Sequence, residues 1–244
     1  MKHQYFGDIN DYRKYGLLRL LAKEGGLRLG ICWMLTPDDS RADGGKISYL
    51  AEPERWRNPD PDLYDHLAAA LKGGSPRALT MVEAGDLIPG ARFHSDLLQD
   101  GACARAEYMR TMLERFQGVD LVFFDPDNGL EVKSCPIGRK GSSKFLTHRE
   151  AATTFQTGAS LMIYQHFGRV EREVFVREQV QRLADGIGTA EIVALSTAHV
   201  LFLFALHPEH VSAVERTLEN LSSRWPGQFW STDNAPVDSA VSSR

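Results

Sequence analysis

The chain has 244 residues, 43% hydrophobic and 25% charged, a composition that suits one large α/β domain. A net charge of −4 and a pI of about 6.1 exclude a global electrostatic pull toward nucleic acid and leave only a local basic patch to provide one. Three scattered cysteines, Cys32, Cys103 and Cys135, lack CxxC spacing, which argues against a disulfide framework and a thiolate zinc site. The N-terminal stretch has no apolar core of a secretion signal, and the longest apolar runs fall short of the roughly 18 residues of a membrane span. The expectation is a soluble cytoplasmic protein with no membrane partner.

Ile9, Tyr12, Leu17, Leu20 and Leu21 recur at helical spacing, so a helix is expected over Asp8 to Lys23, stopped by Gly25-Gly26. Leu27 to Leu35 reads as a buried strand and Thr36 to Lys46 as a polar loop. The proline-rich stretch Glu52 to Asp62 is expected as loop. A helix follows over Pro61 to Leu71, ended by Gly73-Gly74. Arg77 to Leu98 reads as a short helix and then a strand near Ala91 to Leu97, and Ala104 to Phe116 as an amphipathic helix.

Leu121 to Phe124 is a buried strand that breaks into the acidic turn Asp125-Pro126-Asp127-Asn128-Gly129, with Glu131 beyond. Lys133 to Lys144 is a basic loop rich in Gly and Ser. Thr147 to Phe155 starts with a capping-box pattern, Thr147 and Glu150. Leu161 to Tyr164 is a further buried strand ending at Gln165-His166. A helix over Glu171 to Ala184, strands over Glu191 to Leu195 and Val200 to Leu206, and a last helix over Pro208 to Arg224 complete the pattern.

Strands alternating with helices imply a three-layer, largely parallel Rossmann-like α/β sheet with helices on both faces. The expected organisation is a single domain over 1–230, with an inserted helical segment near 52–90 and a flexible tail over 231–244. Ligands of such sheets bind outside the carboxyl ends of the strands, which places Thr36 to Asp39, Asp125 to Asn128 and Gln165-His166 on one rim.

A buried strand delivers Asp125 rigidly to that rim. There, with Asp127, Asn128 and His166, it can bind a metal, act in acid–base chemistry or accept a hydrogen bond from an amino group. Tyr5, Asp8, Asp11, Tyr12 and Lys14 at the first helix read either as helix capping with a weak surface ion pair or as a stacking and phosphate-binding surface. Lys144, in the loop Gly138 to Lys144, reads either as part of a phosphate cradle or of a solvated loop. No HExxH or paired-histidine spacing supports zinc, and no GxSxG elbow supports an acyl-enzyme. Pro126-Asp127 followed by Glu131-Val132-Lys133 echoes the PD…ExK pattern of metal-dependent nucleases. In that alternative Asp125, Asp127 and Glu131 hold Mg or Mn, with Lys133 or Lys144 beside the phosphate.

Two segments resemble the Rossmann-type S-adenosylmethionine-dependent methyltransferases that modify adenine amino groups, above all the J-type ribosomal RNA adenine methyltransferases. Phe6-Gly7-Asp8 with Asp11-Tyr12-Arg13-Lys14-Tyr15 is similar to their opening helix segment, and Asp125-Pro126 to the start of their catalytic Asp-Pro-Pro-aromatic turn. Asp127-Asn128 stands where Pro-aromatic is expected, and Thr36-Pro37-Asp38-Asp39 replaces the Gly-rich turn after the first strand. The resemblance implies an S-adenosylmethionine cofactor near Thr36, Asp38 and Asp39, a nucleic acid or nucleotide substrate, and Asp125 orienting the reacting amino group with help from Asn128. The readings carried forward are this methyltransferase-like enzyme, the metal-dependent nuclease or phosphoesterase, and a non-catalytic nucleic-acid or protein-binding module on the same fold.

Overall fold

A computed structural model describes residues 1–38, 44–72, 76–188 and 190–231. Asp39, the Gly73-Gly74 stop and the tail from 232 lie outside these residues.

The chain runs through α1 (Ile9–Lys23), β1 (Leu29–Cys32), α2 (Pro53–Trp56), α3 (Pro61–Lys72), α4 (Thr80–Glu83), β2 (Arg92–His94), α5 (Ala102–Arg115) and β3 (Leu121–Phe124). It continues through β4 (Gly129–Leu130), β5 (Phe145–Leu146), α6 (His148–Phe155), β6 (Ser160–His166), α7 (Arg172–Ile187), β7 (Glu191–Ser196), β8 (Val200–Leu206), α8 (Pro208–Arg224) and β9 (Trp230–Ser231). The main sheet has the order β2-β1-β3-β6-β8-β7-β9. Strands β2, β1, β3 and β6 are mutually parallel, and β8 slots in antiparallel between β6 and β7.

Both faces of this sheet are covered, which is why its strands read as continuous apolar runs. Successive side chains still alternate. Ile31, Trp33, Phe123, Met162, Phe202 and Phe204 pack with α1, α3 and α8. Cys32, Val122, Phe124, Leu161, Ile163 and Leu203 pack with α5, α6 and α7. The three-layer α/β expectation is therefore met.

Several local expectations need correction. Glu52 to Asp62 is not all loop, because Pro53 begins the short helix α2 and Pro61 begins α3. Proline fits the first helical turn, where its missing N–H has no partner to lose. The small parallel pair β4–β5 and the edge strand β9 have two residues per strand, too few for a periodic signal. The capping box is present, with Glu150 N donating to Thr147 Oγ1 and Thr147 N to Glu150 Oε2. Among the described residues no helix is long and apolar enough to cross a membrane.

Candidate functional site

The sheet order reverses between β1 and β3, where the connection from β1 runs to β2 and that from β3 to β6. Ligands of open α/β sheets gather at the carboxyl ends of the strands near such a point. A cavity of about 330 Å³ opens there, lined in part by Asp125, Asp127, Asn128, Lys144 and His166 from the carboxyl side of the sheet. Tyr5, Asp8, Asp11 and Lys14 line it from the N-terminal segment and α1, with Lys46 at the loop that follows β1.

Its floor is a buried charge cluster. Lys14 Nζ donates to Asp125 Oδ2 (2.7 Å) and pairs with Asp11 Oδ1 (2.6 Å), while Tyr15 donates its hydroxyl to Asp11 Oδ2 (2.9 Å). Lys14 is 1% exposed, and its ammonium lies 5.1–5.6 Å from the ring centroids of Tyr164, Tyr15 and Trp33. Burial alone would lower the pKa of Lys14, but Asp11 and Asp125 outweigh it and raise the value, so the amine is a fixed cation and not a nucleophile. Burial raises Asp11 to about 6, with Lys14 opposing and Asp125 and Asp8 adding to the shift. Asp11 thus takes up a proton much closer to neutral pH than an ordinary aspartate does. Asp125 Oδ1 has no hydrogen-bond partner among the described residues, so it faces the cavity as an acceptor.

The acidic turn is held from behind. Gln165 Oε1 accepts from Leu130 N (2.8 Å), and its Nε2 donates to the carbonyls of Asn128 (3.2 Å) and His166 (2.8 Å). Asp127 pairs with the Met1 amino group (2.7 Å) and accepts from the Thr36 hydroxyl (2.8 Å). Burial would raise its pKa, but the Met1 amino group, Thr36 and Lys2 lower it on balance. His166 sits beside Tyr164, ring centroids 5.2 Å apart. Desolvation holds its pKa below the ordinary 6.5 against the opposing pull of Asp125 and Asp127, which keeps it neutral at pH 7.

Other expected site residues fall elsewhere. Tyr12 is fully buried, stacked on Tyr49 with its hydroxyl donating to the Trp56 carbonyl, so it is a core residue and not a substrate contact. Asp11 and Lys14 form a buried pair instead of a weak surface one. Glu131 accepts from His148 N (2.8 Å) and does not line the cavity, nor does the exposed Lys133. The metal-binding set Asp125, Asp127 and Glu131 is therefore not assembled. Among the described residues no three His, Cys, Asp or Glu side chains gather to hold a metal. The amides of the basic loop are also taken: Gly141 N and Ser143 N both donate to the Asp100 carboxylate (2.8 Å each), which occupies the place of an external phosphate.

The residues after β1 that the resemblance assigns to S-adenosylmethionine are engaged by the chain itself. Thr36 N donates to the Met1 carbonyl (2.9 Å) and the Met1 amino group to the carbonyls of Met34 (3.3 Å) and Asp125 (2.9 Å), so Met1 fills the crevice between the ends of β1 and β3. Asp38 is exposed and accepts from Gln4 N (3.2 Å). Neither Thr36 nor Asp38 lines the cavity.

Lys46 was missed by sequence reasoning because one lysine at the end of a polar loop carries no local signal. Like Lys144, it makes no ion pair among the described residues, so two lysines without an ion-pair partner stand at a cavity wall that also carries Asp8, Asp11, Asp125 and Asp127. Comparisons with family models, curated proteins and solved structures find no match for this chain.

Proposed function

We propose that this protein is a methyltransferase-like α/β enzyme acting on a nucleotide-type substrate or on nucleic acid, with Asp125 orienting the reacting donor group. One observation carries the reading: Asp125, at the end of β3, offers a free carboxylate oxygen to a cavity that also holds two unpaired cations, Lys46 and Lys144. A carboxylate suits an amino or hydroxyl donor, and the lysines suit a phosphate on the same molecule. Lys14 fixes the Asp125 carboxylate in place, and Asp11 behind it can hold a proton near neutral pH.

The filled crevice after β1 supports a second reading, a binding module that keeps the substrate cavity without turnover. Calorimetric titration with adenosine monophosphate tests what both readings share, with binding expected to weaken about tenfold in Lys144→Ala, the scale of one lost charged hydrogen bond. Absence of binding removes both. Transfer of labelled methyl from S-adenosylmethionine to RNA, DNA or nucleotides, abolished in Asp125→Asn, supports the enzyme. Nucleotide binding with no turnover leaves the binding module.

A further inference from the structure

Tyr164 brings to the cavity a hydroxyl that the chain itself does not use. The residue is 6% exposed and lines the cavity, and its hydroxyl has no hydrogen-bond partner among the described residues. That oxygen is not sealed in the core, since the described side-chain atoms buried without a partner belong to His94, Asp127 and His148 alone. It therefore opens into the cavity. The ring is held on three sides: Lys14 Nζ lies 5.1 Å from its centroid, and Phe202 and His166 meet it edge-on at 5.6 and 5.2 Å. Phe124 and Ile163 are partners in the parallel pair of β3 and β6 and face α5, α6 and α7. The residues that follow them, Asp125 and Tyr164, stand side by side on the opposite face at the strand spacing of about 4.8 Å, both against Lys14. A phenylalanine would fill the same space, as Phe202 and Phe204 do on the next strand, with no polar atom to desolvate. A nearly buried hydroxyl without a partner in the chain calls for one outside it.

We propose that Tyr164 is a specificity-determining residue, its hydroxyl donating to a ring nitrogen of the substrate while Asp125 Oδ1 accepts from the amino group next to that nitrogen. The proposal rests on the nucleotide reading above. An ionised carboxylate only accepts, so it takes the amino group, and the donor beside it then needs an acceptor one atom further along the same edge. Burial first, and then Asp125, Asp11 and Asp8, raise the pKa of Tyr164 well above the ordinary 10, so the phenol keeps its proton at neutral pH. An amino group beside an unprotonated ring nitrogen is the edge of adenine and of cytosine. In the same pose hypoxanthine and uracil reverse it, with a carbonyl oxygen facing the Asp125 carboxylate and an N–H where the acceptor is needed. The cavity is thereby selective for amino-bearing bases.

The test is calorimetry with the monophosphates of adenosine, cytidine, inosine and uridine, and with 1-deazaadenosine monophosphate, in which a C–H replaces the ring nitrogen. The adenosine and cytidine nucleotides are expected to bind at least about tenfold tighter than the inosine and uridine ones, because the latter leave a buried carboxylate unpaired. The 1-deaza analogue should bind about fivefold more weakly than adenosine monophosphate, the scale of one neutral hydrogen bond. Tyr164→Phe should bind adenosine monophosphate about fivefold more weakly and no longer separate it from the analogue. Its thermal melt should be no lower than that of the wild type, since the hydroxyl has no partner in the chain to lose. Equal wild-type affinity for adenosine monophosphate and its 1-deaza analogue, or a Tyr164→Phe variant that still separates them, overturns the role of Tyr164 and leaves the cavity reading standing. Inosine monophosphate bound as tightly as adenosine monophosphate overturns the selectivity in the same way. Failure of every nucleotide to bind removes the cavity reading and this inference with it.

Discussion

Gln165 occupies the space that a side chain at Gly129 would need. A Cβ at position 129 would overlap the Gln165 carboxamide, and the backbone there has φ of 115°, a region that L residues rarely enter. That carboxamide bonds the backbone of residues 128 and 130 and so holds the acidic turn against the end of β6. Gly129→Ala is expected to cost about 1–3 kcal/mol, read by urea denaturation. Part of the cost is steric and part conformational. In a Gln165→Ala background the same substitution should cost less, and an equal cost in both backgrounds would show that no clash contributes.

Lys14 neutralises two buried carboxylates, so Lys14→Met should cost about 3–5 kcal/mol at pH 7. Asp11 sets the pH dependence. Its pKa rises from the ordinary 3.8 to about 6 in the fold, so its contribution to stability is complete below pH 3.8 and is lost as the pH climbs to about 6. Relative to Asp11→Asn, the wild-type protein should lose stability between pH 4 and about 6 and then level off. A difference that is flat across this window would contradict the raised value.

Arg105 ties the basic loop to α6. It meets Glu150 through Nε (2.6 Å) and Nη2 (2.8 Å) and donates to the carbonyls of Ser142 and Phe145. Glu150 is also the capping-box residue, so one carboxylate serves both roles. Arg105→Met should cost about 3 kcal/mol and raise amide exchange across 141–147, measured by hydrogen exchange. A loss of stability without added exchange in the loop would refute the tie.

His94 is fully buried at the end of β2, and neither ring nitrogen has a hydrogen-bond partner. Burial lowers its pKa below 6.5, so the neutral ring contributes stability above that value and loses it as the pH falls through the lowered one. His94→Phe keeps the ring and removes the unpaired nitrogens. Thermal melts should show it as stable as the wild type or more so at pH 8, with a wider advantage at pH 5. A large loss at pH 8 would reveal a polar role for the imidazole.

Much of this fold is legible wherever the signal is local. Pro208 opens α8 where expected, Thr147 and Glu150 form their box, and the apolar run before Asp125 is the buried strand β3. What escapes is settled by distant parts of the chain. Asp11 and Lys14, one turn apart, read as a surface pair because nothing nearby announces Asp125, 111 residues away. Tyr12 reads as a stacking surface because aromatic residues look alike in a core and at an interface, and only its packing on Tyr49 decides. The basic loop reads as a phosphate cradle because Asp100 lies 41 residues before Gly141.

That carboxylate has one more consequence. A turn whose amides already enclose an internal anion does not depend on a solute to take its shape. Gly141 to Ser143 should therefore stay ordered in phosphate-free buffer of low ionic strength, where a receptor waiting for its ligand would loosen. The protein has built the occupant into the chain, and in doing so has changed a place for binding into a fastening between α5 and the strand pair at its rim.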